Sequence, residues 1–528
     1  MTEDAVTDPA RAASAGNAGA VPALREIDDL PGPRGWPLVG NLPQIEASRM
    51  HAQVEEWVRR YGSLFRFRLG TRPMLVVADH VAMAAVLRDR PDGFRRTPRL
   101  AQISSEMGLA GGVFGAEGDR WRTQRRMVMA GFDPRHLRAY FPSLVAVAGR
   151  LEGRWLRAAQ AGVTIDLQAD LMRFTVDAIS GLAFGSEINT LESDDEVIQQ
   201  HLDKIFPALF RRLLAPLPTW RWWKRATDRE LDRSVAAVTA AIDGFIVTAR
   251  QRLAADPARR ASPANLLEAM IVAADDELSG ISDAEVAGNV MTMLLAGEDT
   301  TANTLAWMIW LLHTHPECLR RARAEVDAML GPPDRWTPER LAALAYVEAC
   351  ANETMRLKPV APSIVLQALR DTVISDVRVP RGTLVWGALR SDSLDDRHFP
   401  DALRFDPERW LRADPARSAG SASRISMPFG AGPRVCPGRQ LALLEMKIAM
   451  ATLLGRFDLE SVATDDGSEP AEHLSFTMAP RGLRMRLRER RRDGSGRPVE
   501  GGEGLQTVVD QVTDRFEAER EPDQPAAP

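Results

Sequence analysis

Cysteine is scarce in this chain, whose 528 residues include only Cys318, Cys350 and Cys436. Three cysteines are too few for a disulfide framework, so the composition favours a reducing compartment, and we predict a cytoplasmic location. Cys318 and Cys350 fall within helical patterns, where a free cysteine usually packs as a small hydrophobic residue. Cys436 stands in a loop rich in glycine and proline, so it is the cysteine that we expect to carry chemistry.

Long apolar runs and an excess of positive charge are also missing from the sequence. No stretch of about 18 uncharged apolar residues occurs, and residues 1–19 lack the apolar core of a signal peptide, so we expect no membrane anchor. The formal net charge of −5 gives no general attraction to nucleic acid. A hydrophobic content of 45% is that of an ordinary globular protein, which we expect to be a soluble monomer.

Helical periodicity dominates the chain, with short strand-like pieces to either side. Residues 164–330 are almost wholly helical in pattern, whereas strand signals occur at 74–77, 364–389 and 474–487. Helices that dominate over small antiparallel sheets on one side predict a mainly helical α+β fold.

The two ends of the chain differ in composition from its body. We predict a disordered lead over residues 1–25, one folded domain over 26–488 and a flexible tail over 489–528. Apolar residues at helical spacing in 505–516 can form a short amphipathic helix in that tail, or the tail can be solvated throughout. A tail of this length is too short to be a further domain.

The stretch from Phe429 to Gly438 is the most informative part of the sequence. Arg434 precedes Cys436 by two residues, and an apolar helical pattern follows the loop. Free N–H groups and the helix dipole at a helix N-terminus stabilise a thiolate. Glycines such as Gly430 and Gly438 would let a flat cofactor approach, and haem iron accepts thiolate as an axial ligand. The alternative interpretation is a structural loop around a buried free cysteine.

The pattern F-x-x-G-x-R-x-C-x-G is complete here, and it resembles the haem-binding loop of the cytochrome P-450 superfamily. The resemblance covers about residues 30–488. It implies that fold, with a long central helix over haem b, and it makes Cys436 the ligand of the iron. Phe429, Gly430 and Gly438 would then contact the cofactor. Many eukaryotic members carry an N-terminal membrane anchor, and we expect none in this chain. The resemblance therefore points to the soluble bacterial type.

A long polar-centred helix is predicted before that loop. The capping box Ser282–Glu285 opens a helical pattern that Pro316 ends near Thr314, a length of about 48 Å. Its middle, residues 296–301, holds two acids, two threonines and a glycine, which are poor choices for a buried helix.

This polar centre resembles the A-G-x-[DE]-T-[TS] motif of the family, where dioxygen is held over the haem. On that resemblance Thr300 would hold a water during oxygen activation, and Asp299 would relay protons from solvent. Glu298 fills the variable position and could assist the relay, while Gly297 would let the flat cofactor approach the backbone. The alternative interpretation is a polar kink with surface acids.

Two further motifs complete the resemblance. Glu353 and Arg356 lie one helical turn apart, and on the family pattern Arg409 would complete a buried Glu–Arg–Arg cluster that serves folding and haem retention. Trp121 and Arg125 have the family's W-x-x-x-R form, and with Arg434 they would bind the haem propionates.

Two departures from the family pattern affect the propionate contacts. Gln367 stands where many members have an arginine, so a propionate partner is lost unless Arg370 replaces it. Residues 393–396 stand where the sequence H-R-D-P is frequent.

The resemblance implies a monooxygenase that inserts one atom of O2 into an organic substrate. We expect an apolar substrate, because the segments expected to face it are mostly apolar: 102–114, 294–296, 360–365 and 475–478. We expect residues 206–224 to form a packed lid over the access channel, with contact with a membrane surface as the alternative. Peroxide-driven or isomerising haem-thiolate enzymes and a non-catalytic haem sensor remain alternatives.

Electrons are expected from a separate protein, either ferredoxin with ferredoxin reductase or a flavodoxin-type donor. Positive residues around the cysteine loop are candidates for docking such an acidic partner: Arg122, Arg126, Arg424 and Arg439.

Overall fold

The computed structural model describes residues 24–490 apart from 110, 186–187, 194–197, 277–278, 331–335 and 413–418, and the side chains of 419–421. The predicted lead over residues 1–25 and the tail over 489–528, with its candidate helix, lie almost entirely outside the described residues.

Helices make up most of the described chain. In order they are α1 Met50–Tyr61, α2 His80–Arg88, α3 Pro98–Glu106, α4 Gly118–Gly131, α5 Pro134–Ala161, α6 Leu167–Phe184, α7 Ile198–Leu202, α8 Ile205–Leu214, α9 Ala226–Ala255, α10 Pro257–Ala261, α11 Leu266–Ala274, α12 Asp283–Thr314, α13 Pro316–Met329, α14 Pro338–Ala342, α15 Ala345–Leu357, α16 Ala419–Ser426 and α17 Arg439–Arg456.

The strands are short and form separate sheets. They are β1 Leu64–Leu69, β2 Arg72–Val77, β3 Phe94–Arg96, β4 Ile165–Asp166, β5 Ser363–Ala368, β6 Thr372–Ile374, β7 Val377–Val379, β8 Leu384–Ala388, β9 Phe457–Ala463, β10 Glu472–Leu474, β11 Met478–Pro480 and β12 Arg484–Glu489. The largest sheet has the order β1-β2-β8-β5-β3. Its β2 and β8 are parallel, so this sheet is mixed rather than wholly antiparallel as predicted. The mainly helical α+β class is confirmed.

The mixed sheet is covered on both faces, as its sequence alternation requires. Leu75 and Val77 of β2 pack in the same cluster as the buried side chains of α2. Met74 and Val76, which alternate with them, pack in a second cluster with α1. The sheet therefore fixes α2 in place, and α2 in turn lies against the loop that precedes Cys436.

Helix α12 runs through the main hydrophobic core for its whole 32 residues. The predicted capping box is present, because the Glu285 carboxylate accepts from both the N–H and the hydroxyl of Ser282 at 3.0 Å. The helix ends at Thr314, as predicted from Pro316. It packs most extensively on α6 and also contacts α9, α15 and α17, so its centre is held from several sides.

The predicted Glu–Arg–Arg cluster is formed, with Glu353 and Arg356 fully buried and Arg409 at the edge with 10% of its side chain exposed. Arg356 donates to both oxygens of Glu353 at 2.7 and 2.8 Å, and Arg409 Nε donates to Glu353 Oε1 at 3.2 Å. The remaining N–H groups of Arg356 reach backbone carbonyls of Ser393 and Ala402, each at 2.6 Å. The cluster therefore ties α15 to the segment that leads into the cysteine loop.

A second buried ion cluster was not predicted. Arg390, just after β8, donates to both oxygens of Glu55 on α1 and to both oxygens of Glu472 on β10, at 2.8–2.9 Å. His51 and Lys358 also contact Glu472, and together these partners hold the pKa of its carboxyl well below the usual range despite burial. These residues are separated by up to 421 positions in sequence, so a local sequence motif could not have predicted the cluster.

Candidate functional site

Cys436 lies in a loop, three residues before α17. Its N–H donates to the Phe429 carbonyl at 2.9 Å, which closes the loop. The thiol is accessible, yet burial raises its pKa, as expected for a group that lines an interior cavity. The N–H groups of Gly438 and Arg439 and the charge of Arg125 oppose that increase. The helix N-terminus alone therefore does not outweigh desolvation, and a metal cation would be needed to complete the stabilisation of the thiolate.

Two loop glycines are required for different reasons. Gly432 has φ +70°, and a Cβ there would lie 2.7 Å from the Leu87 carbonyl oxygen and from Arg88 Cα of α2. Gly430 has φ +73°, but a Cβ there would meet no atom within 4 Å. Close packing on α2 fixes the loop at Gly432, whereas Gly430 borders open space.

The three predicted propionate ligands lie together beside the cysteine loop. Arg434 stacks over the buried Trp121 ring at 4.7 Å and donates to Glu117 Oε2 at 2.5 Å. Arg125 donates to the Val435 carbonyl at 2.7 Å. The structure thus brings Trp121, Arg125 and Arg434 next to the backbone of Cys436.

Two arginines that sequence reasoning missed extend this group. Arg90 and Arg96 are near Arg434, and burial is the main reason that the pKa of Arg90 falls to about 10 and that of Arg96 falls well below its usual value. Glu117 is the carboxylate that opposes these shifts for all three guanidinium groups. Arginine is common in this chain, so nothing in the sequence singled these two out.

This cluster passes a direct test of fit to an anionic cofactor. Arg90 Nε and Nη2, Arg96 Nε and Arg434 Nε are buried without a hydrogen-bond partner among the described residues. Three buried cations that share one carboxylate are costly unless further anions pair with them. The two propionates of a haem beside Cys436 are such anions, so the residues present fit the group.

The structure also answers whether Arg370 replaces the arginine missing at position 367. Arg370 donates to both carboxylate oxygens of Asp89 at 2.8 Å. Gln367 accepts from Arg95 at 2.8 and 3.1 Å. Arg370 is therefore occupied in a surface ion pair with Asp89 and does not replace the missing arginine.

At the centre of α12 the two predicted relay residues have separate partners. Thr300 Oγ1 donates to the Ala296 carbonyl one turn back at 2.7 Å. Asp299 accepts from Asn303 at 2.8 Å and from the Thr477 hydroxyl, and burial nevertheless raises its pKa. Ala296 is exposed and Gly297, Asp299 and Thr300 are half-buried, so this part of the helix borders open space.

Glu298 and Gly297 face the neighbouring helices. Glu298 is buried, its Oε1 has no described partner, and a hydrogen bond joins its side chain to Asp203, so one of the two carboxyls must be protonated. Burial raises the pKa of Asp203 to about 7. A Cβ on Gly297 would lie 3.1 Å from Ile179, so the missing side chain allows α12 to pack on α6. Contact of Gly297 with the cofactor stays a prediction.

Glu445 of α17 is a further buried acid that the motifs did not reveal. Its side chain is hydrogen-bonded to Thr301, and burial raises its pKa from 4.5 to about 8. A folded-state pKa above the unfolded value means that the proton stabilises the fold. That stability is present in full below about pH 4.5 and is lost as the pH rises through about 8.

Glu445→Gln should therefore stabilise the protein increasingly as pH rises. Glutamine keeps the shape and the Thr301 contact without the ionisable proton. We expect the free energy of unfolding, measured by urea titration, to be close to that of wild type near pH 5. At pH 8 it should exceed the wild-type value by on the order of 3–5 kcal/mol. The exposed Glu460→Gln is the control and should show no such divergence. Parallel curves for Glu445→Gln and wild type would contradict the assignment.

The expected substrate side of the cavity is aromatic. Phe476, with φ +94°, stacks on Phe206 at 4.6 Å and lies 6.1 Å from Phe114. Phe114 and Phe476 come from two of the segments predicted to face substrate, and Phe206 comes from the predicted lid. The prediction of a packed lid is only partly right, because Trp222 and Trp223 are 73% and 80% exposed.

The family model described as Cytochrome P-450 matches residues 30–487. Three relatives are the chloroplastic protein Lutein deficient 5 of Arabidopsis thaliana, a self-sufficient cytochrome P-450 monooxygenase of Oidiodendron maius and thromboxane-A synthase of Sus scrofa. The plant protein is 24% identical over 80% of this chain and 71% of its own length. The fungal protein is 28% identical over 88% of this chain and 42% of its own length. The animal protein is 25% identical over 86% of this chain and 91% of its own length.

These relatives are from a plant, a fungus and an animal, so the expectation of a bacterial type receives no support from them. Within the described part of the chain, none of the helices has both the length and the apolar character that crossing a bilayer requires. With the match over most of its length, the chain belongs to the cytochrome P-450 family of haem-thiolate monooxygenases.

Proposed function

We propose that this protein hydroxylates or epoxidises an apolar organic substrate with electrons from a separate redox protein. The observation that carries the proposal is the placement of an accessible cysteine near buried guanidinium nitrogens that have no hydrogen-bond partner among the described residues. Bound there, haem would supply the iron chemistry that activates dioxygen, with Cys436 as its protein ligand.

The residues of this chain would hold the cofactor in two ways. Arg90, Arg96, Arg125 and Arg434 would neutralise its propionates, and Trp121 would keep the Arg434 guanidinium flat against its ring. Gly430 would leave room for the ring plane, with Phe429 and Gly438 at the ends of the loop. These assignments concern binding and orientation only.

An apolar substrate is proposed from the lining of the expected pocket. Phe114, Phe206 and Phe476 form a connected aromatic group. The nearby Arg96 guanidinium lies over the Phe114 ring at 3.5 Å and is assigned to the propionates. A hydrophobic lining with few placed polar groups selects by shape and apolar area rather than by charge.

Proton delivery is proposed to pass through Asp299 and Thr300. Asp299 is held by Asn303 and Thr477, so its carboxyl has a fixed position beside the exposed part of α12. The Thr300 hydroxyl, whose proton is used by Ala296, keeps its oxygen lone pairs free to accept from a water. If Glu298 assists, its route leads toward Asp203.

Thr300→Ala should separate reductant use from product formation. Substrate binding should be unchanged in this variant. It is measured by the spectral shift that the holoprotein shows with an apolar ligand. Product per reductant should fall roughly tenfold or more, with hydrogen peroxide released instead. Asp299→Asn should slow turnover and change its solvent isotope effect.

The matched control for these variants is Thr304→Ala. Thr304 lies one turn further along α12, and its hydroxyl donates to the Thr300 carbonyl at 2.8 Å. That variant should keep wild-type coupling. Unchanged coupling in both Thr300→Ala and Asp299→Asn would exclude the relay and favour a peroxide-driven enzyme.

Docking of an acidic redox protein is proposed for the exposed arginines around the cysteine loop. Arg126, Arg424 and Arg439 are exposed. Arg122 is paired with Asp92 and Asp119, each at 2.6 Å. Electron transfer from a ferredoxin should therefore slow with added salt and with Arg126→Glu or Arg439→Glu, more than with Arg122→Glu. Indifference to salt and to these changes would contradict the surface. A cytoplasmic location stays a prediction.

The isomerising alternative differs from a monooxygenase in its need for electrons. An isomerase would turn over substrate without reductant. Substrate conversion that needs neither an electron donor nor peroxide would therefore select this alternative, and substrate-dependent reductant use would exclude it. A sensor would show neither activity.

A further inference from the structure

Two histidines and an aspartate that lie outside the cysteine loop come together in the structure. His80 is the first residue of α2, Asp392 lies in the turn Ser391–Leu394 after β8, and His398 follows that turn. Their nearest ligand atoms all lie within 4.8 Å of one another. His80 Nδ1 is 2.7 Å and His398 Nε2 is 3.8 Å from the same oxygen, Asp392 Oδ2.

We propose that His80, Asp392 and His398 form a binding site for a divalent transition-metal ion, with zinc as the best match. Two imidazoles and one carboxylate are a common zinc donor set, with bonds of about 2.0–2.2 Å. Tetrahedral bonds of that length separate donor atoms by about 3.4 Å. The observed separations of 2.7 and 3.8 Å bracket this value, and the three donor atoms all lie within 4.8 Å of one another.

Burial and charge agree with such a site. The side chains of His80, Asp392 and His398 are 19%, 10% and 27% exposed, which leaves access for an ion and for a water as fourth ligand. The His80 N–H donates to Asp392 Oδ2 at 2.8 Å and orients the carboxylate. The neighbouring Asp395 is neutralised by Arg397 at 2.6 Å, so Asp392 supplies the negative charge of the site.

The position of the site suggests what the ion would do. Asp392 and His398 lie on either side of residues 393–396, where this chain departs from the frequent H-R-D-P pattern. The proposed ion site therefore lies at the position of that departure. The other end of α2, about 12 Å along its axis, supports the cysteine loop at Gly432. A bound ion would join α2 to the segment after β8 and so stabilise the support of that loop. This inference does not depend on the proposed reaction.

The test is a zinc titration of the haem-loaded full chain, in which Cys436 is not a free thiol. After treatment with chelator, Zn2+ is titrated in competition with a chromophoric chelator. We expect one equivalent to bind, and a rise of the thermal midpoint with zinc. His80→Ala and His398→Ala should each weaken binding at least about tenfold and abolish the thermal shift. His473→Ala, which changes a histidine outside the cluster, is the control and should bind as wild type.

Zinc-edge X-ray absorption of the wild-type protein provides a readout that does not need a folded variant. Two imidazole nitrogens at about 2.0–2.1 Å with oxygen in the remaining positions are expected. No stoichiometric binding below millimolar zinc, equal affinity in wild type and both histidine variants, or a sulfur ligand in the spectrum would each overturn the site. The first outcome would leave His80 and Asp392 as a hydrogen-bonded pair without an ion.

Discussion

Cys436→Ser is expected to abolish the red-shifted Soret band that gives the cytochrome P-450 family its name. In the reduced, CO-bound protein that band requires a thiolate on the iron, and serine offers only a hydroxyl. The loop hydrogen bond between the residue 436 N–H and the Phe429 carbonyl does not involve the side chain, so the fold should survive. The measurement is the difference spectrum of the reduced protein with and without CO.

The other two cysteines provide matched controls. Cys318 lies on α13 and Cys350 is buried on α15, neither of them in the cysteine loop. Cys318→Ser and Cys350→Ser should keep the red-shifted band. A wild-type protein that is well folded but shows only the shorter-wavelength band, or a Cys436→Ser variant that keeps the red-shifted one, would remove Cys436 as ligand.

Arg356→Met is expected to have the second largest effect, the loss of most folded haem protein. It leaves the buried Glu353 with one fewer cation and strands the carbonyls of Ser393 and Ala402. Breaking a buried ion pair costs about 3–5 kcal/mol, and each stranded acceptor about 1–3 kcal/mol more. Against a total stability of about 5–15 kcal/mol, this is enough to unfold the domain.

Two variants show whether the buried geometry is the cause. Arg356→Lys keeps the charge but cannot reproduce the paired N–H bonds to Glu353, so its haem content should be intermediate. Arg135→Met removes a guanidinium of an exposed pair with Asp133 and should leave haem content unchanged. Haem content is read from the CO difference spectrum and unfolding from urea titration. Wild-type stability of Arg356→Met would contradict a structural role for the cluster.

The sequence by itself determined the features that are contiguous in the chain. The loop before α17, the capping box and end of α12, and the Glu353–Arg356 pair all depend on residues a few positions apart, and each forms as predicted. Glycine, proline and capping residues act through local backbone geometry, so a short window carries their signal. The family itself follows from these motifs and their order.

Only the tertiary structure decided which arginines meet the cysteine loop and which way the side chains of α12 face. Arg90 and Arg96 join Arg434 across more than 330 residues, and an arginine in sequence does not show whether its guanidinium will be buried. The sequence also does not show which residue packs against a glycine. At Gly297 that residue is Ile179 of α6. His80 and Asp392, 312 residues apart, meet only because β8 pairs with β2 just ahead of α2. Long-range pairing sets these positions, since burial and contact are properties of the packed chain rather than of any window within it.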